Sequence, residues 1–195
     1  MSIEAPQRVD FAAKFDLGMD YDTFLQTYGS EADKAKWQAA YDSVELSIEQ
    51  RALLGNFTRK MKVLCMAGAW CGDCVAQCPI FAHFEAESPM IRIRFIDRDA
   101  DLELAEELQI CGASRVPQVI FLSEDSKPTG RFGDRTLSRY RQLAAQLNNL
   151  DSAAAGATIS SDDTFSAVVQ DWLNEFERNQ LILRTSPRLR RKHGD

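Results

Sequence analysis

The chain has 195 residues, a formal net charge of −6, and 45% hydrophobic, 27% charged and 9% aromatic residues. At about 150 residues per domain this predicts one domain with extensions, and the balance excludes disorder, collagen or a coiled coil as a description of the whole. Net acidity argues against general affinity for nucleic acid or an anionic membrane, and apolar runs such as Val119 to Leu122 and Leu181 to Leu183 fall far short of the roughly 18 residues a membrane span needs.

In chain order, the start Met1-Ser2-Ile3-Glu4-Ala5-Pro6 carries neither a basic nor an apolar leader region, which gives the expectation of a cytoplasmic protein. Tyr21, Phe24, Leu25 and Tyr28 recur at helical spacing behind Asp20 and define a short amphipathic helix ended by Gly29-Ser30. Ser30 with Asp33 opens a second helix carrying Trp37, Ala40, Tyr41 and Val44. Ser47 with Gln50 is the capping box of a third, carrying Leu53, Leu54 and Phe57. Residues 1–60 therefore read as a helical N-terminal extension. Its apolar faces need a neighbour, because helices this short are marginal alone.

From residue 61 the pattern alternates. Met61 to Ala67 reads as a buried strand and Gly72 to about Glu87 as a helix interrupted by Pro79. Ile91, Ile93 and Phe95 alternate with Arg92 and Arg94, a half-buried strand, and Leu102, Ala105 and Leu108 mark a short acidic helix. Val116-Pro117-Gln118 leads through a proline into a strand ending at Leu122. Residues 128–134 are its hairpin partner, and Leu137, Tyr140, Leu143, Ala144 and Leu147 form a closing helix. The order β-α-β-α-β-β-α makes residues 61–150 an α/β domain. Residues 151–195 then comprise a small, polar linker over 150–163, a helix and a tail. The stripe Phe165, Val168, Val169, Trp172, Leu173 and Phe176 is expected to dock on the parent domain. In the tail, Arg184, Arg188, Arg190, Arg191 and Lys192 outnumber Asp195, and the expectation is a solvated, mobile basic end.

Five cysteines are an odd number, and in a reducing compartment they do not make a disulfide framework. Cys65, Cys71, Cys74 and Cys78 fall within 14 residues, with Cys111 apart. The chemistry concentrates in Trp70-Cys71-Gly72-Asp73-Cys74, directly after a strand and at the start of a helix. There the unpaired N–H groups and the helix dipole favour a thiolate on the first cysteine, and two intervening residues let the second reach it. Cys71 is then the attacking thiol and Cys74, one turn in, the resolving one.

The run Ala69-Trp70-Cys71-Gly72-Asp73-Cys74 resembles the active site of the thioredoxin superfamily. Pro79 sits where thioredoxins carry the proline that kinks the active-site helix. Val116-Pro117 matches the cis-proline whose neighbouring backbone pairs with substrate chains, and Gly133 falls at the spacing of a characteristic glycine. The resemblance covers roughly residues 61–150. It implies a thioredoxin fold, a mixed central sheet flanked by helices, with Cys71 and Cys74 as the catalytic pair. It places Trp70, Gly72, Asp73, Val116 and Pro117 at the substrate-binding surface. It further implies a protein or small-molecule disulfide as substrate, a separate reductase for recycling, and no bound cofactor. The helical extension and the Gly-Asp dipeptide are similar to a group of bacterial thioredoxin-like proteins.

Departures from the family pattern carry their own expectations. Thioredoxins bury an aspartate six residues before the first active-site cysteine; here that residue is Cys65, either a small apolar filler or a third thiol near the pair. Asp73 is a carboxylate beside the thiols and is expected to raise Cys71 and make the couple reducing. Cys78 shares a helical face with Cys71 and Cys74 but lies about 6 Å along the axis from Cys74, which favours packing over direct bonding. Cys111 has no assigned role. Two other readings stand beside a disulfide reductase. One is a redox-responsive binding module that uses the extensions. The other is a zinc or iron–sulfur site in which Cys65, Cys111 or His83 joins Cys71-x2-Cys74-x3-Cys78-Pro79. With His83 and His193 as the two histidines and no phosphate loop or dinucleotide fingerprint, other chemistries have little support. Asp97-Arg98-Asp99-Ala100-Asp101 lacks the glycine and terminal glutamate of a calcium loop.

Overall fold

The computed structural model describes residues 9–148 and 164–195; the polar stretch 150–163 and the first eight residues lie outside them. Before the sheet come four helices, α1 (Phe11–Leu17), α2 (Tyr21–Tyr28), α3 (Glu31–Asp42) and α4 (Ile48–Gly55). Three of them start where their caps stand in the sequence. Asp20 accepts the Thr23 N–H at 2.8 Å, and Ser30/Asp33 and Ser47/Gln50 form reciprocal capping boxes, each cap contributing about 1 kcal/mol. The helix α1 escapes a periodicity reading because it is only seven residues long. It is capped by Asp10 and pinned by Lys14, which bridges Asp101 and Glu103 at 2.8 Å.

The remaining elements are β1 (Met61–Ala67), α5 (Gly72–Glu87), β2 (Ile91–Asp97), α6 (Leu102–Glu107), β3 (Gln118–Ser123), β4 (Pro128–Gly133), α7 (Leu137–Asn148), α8 (Thr164–Thr185) and α9 (Pro187–His193). The sheet order is β2-β1-β3-β4; β1 is parallel to β2 and antiparallel to β3, which is antiparallel to β4. This is a thioredoxin fold, a mixed four-strand sheet flanked by helices. The β1 segment is buried along nearly its whole length, as a central strand must be. Side-chain alternation puts Cys65 on the same face as its partners Phe95 and Val119, and two residues further along as Phe121.

Both extensions pack against this frame. On one side Phe24 and Trp37 are fully buried, and Phe24, Tyr21 and Phe95 form edge and tilted ring contacts at 5.5 to 5.9 Å. Met19 exchanges two backbone hydrogen bonds with Phe95 at 2.7 and 2.8 Å, adding a bridge on β2, the edge strand. This partly covers an edge that would otherwise offer free N–H and C=O groups. On the other side the α8 stripe docks as its spacing predicts. Trp172 meets Phe81 at 4.5 Å and Phe132 at 4.9 Å, and Phe176 meets Phe84 and Phe121 at 5.1 Å. Gln180 braces the turn before β1, accepting the Arg59 N–H at 2.8 Å and donating to the Arg59 carbonyl at 2.9 Å.

The expectation of a mobile basic tail is overturned. Residues 187–193 form α9, opened by a Ser186 cap and Pro187 and anchored by buried Leu189. Arg188 pairs with Asp125, and Lys192 and His193 both meet Glu124, on the turn between β3 and β4. Arg59 and Arg184 hold the terminal Asp195. Arg184, Arg188 and Lys192 of the tail thus meet acidic groups of this same chain, which a local count of charge does not see.

Because Trp172 is fully buried and bonds both by ring contacts and through its indole N–H, Trp172→Ala is expected to cost about 3 to 5 kcal/mol. A urea titration followed by circular dichroism reads this as a lowered midpoint. A midpoint within error of the parent would mean that α8 does not contribute to the core.

Candidate active site

At the end of β1 the chain turns through Gly68, Ala69 and Trp70, closed by a hydrogen bond from the Cys71 N–H to the Gly68 carbonyl at 3.0 Å. Cys71 is the N-cap residue of α5, with extended backbone (φ −80°, ψ 123°) and no capping bond from its side chain. Its half-buried sulfur is left free to face outward, 3.7 Å from the Val116 carbonyl. Cys74, one turn in, is fully buried, and its Sγ accepts the Gly68 N–H at 3.4 Å. The Val116–Pro117 peptide bond is cis, and both residues are buried. Gly133 is required beside it: its φ is +153°, and a Cβ there would lie 2.5 Å from the Pro117 carbonyl oxygen. Trp70 is 51% exposed at the rim, with the Arg98 guanidinium 4.5 Å above its ring. Gly72 is exposed and Asp73 half-buried. The fold thus gathers every site residue expected from the sequence around the amino end of α5.

The two sulfurs ionise as a unit. Burial opposes a charge on Cys74, but hydrogen bonds from the Cys71 and Cys78 thiols and from the Gly68 N–H outweigh it and hold Cys74 down, to about 5. Cys71 is pushed up because its proton is shared with Cys74, and burial adds to the shift. One proton is therefore lost readily from the pair and the second is retained; the resting charge lies on Cys74 rather than on Cys71, where the helix dipole alone places it, because the Cys71 thiol donates to Cys74.

The expectation that the Asp73 carboxylate raises Cys71 needs correction. Its oxygens are turned to Arg135 at 2.5 Å and Arg139 at 3.9 Å, so its charge is offset before it reaches the sulfur. Asp73 acts instead as a small opposing charge on Cys74.

Three residues of the site carry no motif. Trp37 of α3, fully buried, donates its indole N–H to the Ala69 carbonyl at 2.8 Å. Arg135 links Asp73 to Asp134, whose carboxylate also accepts the Tyr140 hydroxyl. Gln77 bridges α5, Asp134 and Trp172. Their spacing identifies them only as core or surface positions, since their decisive partners are 32 to 95 residues away.

The other cysteines divide. Cys65 and Cys78 are both fully buried, with their sulfurs 4.0 Å apart. Cys111 is exposed, on a turn with φ +54°. His83 faces the Tyr41 carbonyl at 3.1 Å and stacks on the Tyr41 ring. Among the described residues no three His, Cys, Asp or Glu side chains are arranged to hold a metal ion, and no helix is long and apolar enough to cross a membrane.

Removing the nearer of the two cations that offset Asp73 leaves its carboxylate less compensated near the thiols, which disfavours the thiolate. In Arg135→Met, the pH profile of iodoacetamide alkylation at Cys71 is expected to move to higher pH. A profile unchanged, or moved to lower pH, would mean that Arg135 does not compensate Asp73.

Comparisons with known proteins bear on the family and the fold. The family described as Thioredoxin matches residues 18–147, about two thirds of the chain. The match reaches back over α2, α3 and α4, beyond the segment that the motifs alone define. None of the curated proteins matches the sequence. Among solved structures, a protein of unknown function from Pseudomonas aeruginosa superposes with a TM-score of 0.66 at 22% identity, covering 88% of this chain and 99% of its own. An HIV epitope scaffold does so with a TM-score of 0.61 at 19% identity, covering 86% and 99%. The Fasciola hepatica thioredoxin aligns over 49% of this chain and 88% of its own, at 21% identity and a TM-score of 0.35. The first two share the fold over most of this chain, and the family match over residues 18–147 carries the conclusion that this chain belongs to the thioredoxin family.

Proposed function

We propose that the chain is a thiol–disulfide oxidoreductase working as a disulfide reductase in the cytoplasm, with Cys71 attacking and Cys74 resolving. The observation that carries this reading is the pairing of a half-exposed Cys71 sulfur beneath the Val116 carbonyl with a buried Cys74 one turn behind it. Cys71 passes its proton to the Cys74 sulfur and attacks one sulfur of a substrate disulfide as the thiolate, a mixed disulfide forms, and the substrate's other sulfur leaves and is protonated to a thiol. Cys74 then attacks the Cys71 sulfur, the second substrate thiol is released, and Cys71–Cys74 is left oxidised. Two electrons and two protons pass to the substrate, and a separate reductase system restores the dithiol. Trp70, Gly72 and Asp73 on one side and Val116 and Pro117 on the other frame the surface on which a protein or small-molecule disulfide docks. The Trp37 bond to Ala69 favours a second reading, a binding module whose helical extension responds to the redox state of the pair.

Equilibration in graded thiol–disulfide buffers, followed by alkylation and peptide mass mapping, tests the pair. A two-electron couple confined to Cys71 and Cys74 is expected, with a potential near the thioredoxin value of about −270 mV if the reductase direction holds. In turnover assays Cys71→Ser is expected to lose activity by about 100-fold or more, and Cys74→Ser to accumulate the mixed disulfide. Absence of the couple would overturn the function. A couple without turnover on any disulfide would favour the binding module.

A further inference from the structure

The site holds more sulfur than one couple uses. Cys65, at the centre of β1, and Cys78, in α5 one turn beyond Cys74, are both fully buried with Sγ atoms 4.0 Å apart. A disulfide bond needs about 2.05 Å, so a movement of some 2 Å shared between two side chains would join them. Cys78 also stands four residues beyond Cys74 on the same face of α5, where side chains so spaced are neighbours. The four sulfurs therefore form a file running inward from the half-exposed Cys71 through Cys74 and Cys78 to Cys65, and Cys71 is its open end. A thiol buried simply as apolar filler has no reason to sit at the end of such a file, and here two do so in mutual contact.

We propose that Cys65 and Cys78 form a second dithiol–disulfide couple, charged only through Cys74, so that one reduced chain reduces two substrate disulfides before it is recycled. This rests on the proposed redox function of Cys71 and Cys74. After the first turnover Cys78 attacks the Cys74 sulfur of the Cys71–Cys74 disulfide. The Cys74–Cys78 bond forms, the Cys71–Cys74 bond breaks, and Cys71 leaves with the electron pair and takes up the proton that Cys78 has lost. Cys65 then attacks the Cys78 sulfur, the Cys65–Cys78 bond forms, and Cys74 leaves with the electron pair and takes up the proton from Cys65. The protein gains and loses no electrons in this internal exchange; the oxidant is the first substrate disulfide. Cys71 and Cys74 are again a dithiol and react with a second. Both inner thiols are pushed up by burial, so the exchange is slow beside the first turnover, because the thiolate is the nucleophile.

The test uses a full-length Cys111→Ser protein, which removes the exposed fifth thiol. It is fully reduced, freed of reductant and exposed anaerobically to excess oxidised glutathione. Samples are quenched in acid, denatured, alkylated and mapped by mass. The expected result is a fast loss of two thiols at Cys71 and Cys74 and a slower loss of two more at Cys65 and Cys78. Glutathione release is then twofold that of a Cys65→Ala, Cys111→Ser protein, and a Cys65–Cys78 linked peptide appears. In Cys71→Ser, Cys111→Ser, Cys65 and Cys78 are expected to stay reduced. Loss confined to Cys71 and Cys74 would overturn the second couple while leaving the first intact. Oxidation of Cys65 and Cys78 at the same rate without Cys71 would overturn the route through Cys74. No loss at any cysteine would overturn the redox reading of the site itself, and the second couple with it.

Discussion

Gln77 is a polar side chain buried in α5, and its primary amide has nowhere to turn except to protein groups. Its Nε2 donates to the Asp73 carbonyl at 3.1 Å and the Asp134 carbonyl at 3.0 Å, and its Oε1 accepts the Trp172 indole N–H at 2.9 Å. Leaving any of these groups unpaired in the core would cost about 1 to 3 kcal/mol, so one amide fixes three segments relative to each other. Those are the first turn of α5, the corner between β4 and α7, and the long helix α8. The corner then reaches back to α5 by a second path, because Asp134 binds Arg135 and Arg135 binds Asp73. The two paths form a closed ring around the turn that carries Cys71 and Cys74. That ring braces the turn on which the sulfurs sit, while the CxxC spacing fixes their separation along the helix.

From the opposite side the N-terminal helices do similar work on the turn that precedes the pair. Trp37 holds the Ala69 carbonyl, and its ring packs among Tyr21 and Phe24. These lie against Phe95 of β2, which is the cross-strand partner of Cys65. Both extensions are thus continuous with the core behind the site. Whatever changes the active-site turn is felt at α3 through a single 2.8 Å bond, and whatever loosens α8 is felt at α5 through Gln77.

What was legible in the sequence was local. Caps at Asp20, Ser30 and Ser47, the strand run at Met61 to Ala67, the cysteine spacing and the docking stripe from Phe165 to Phe176 each depend on residues a few positions apart. Side-chain periodicity and capping chemistry act over that range. What was not legible depends on distance in the chain. The basic tail reads as solvated until Glu124 and Asp125 are brought under it. Asp73 reads as a charge beside a thiol until Arg135, 62 residues on, turns it away. Cys65 reads as a filler or a third thiol and Cys78 as a packing residue, and the contact between them is not legible because it is set by how α5 lies across β1.

Cys65 stands where thioredoxins bury a carboxylate that helps move the proton of the resolving thiol, and the geometry shows how a site can do without one. A buried carboxylate is an acceptor that must itself be desolvated. Here the same end is reached by donors that act on the sulfur directly: the Gly68 N–H and the thiols of Cys71 and Cys78 stabilise charge on Cys74. In the proposed mechanism the Cys71 donor disappears once that sulfur is bound to substrate, and this is the step at which Cys74 must attack. The Gly68 N–H and the Cys78 thiol remain, one fixed by the backbone turn that Trp37 braces and the other by its place on α5. The charge on the resolving sulfur then depends on neutral dipoles whose orientation the fold sets in advance, so that little reorganisation is needed when Cys74 moves forward to Cys71.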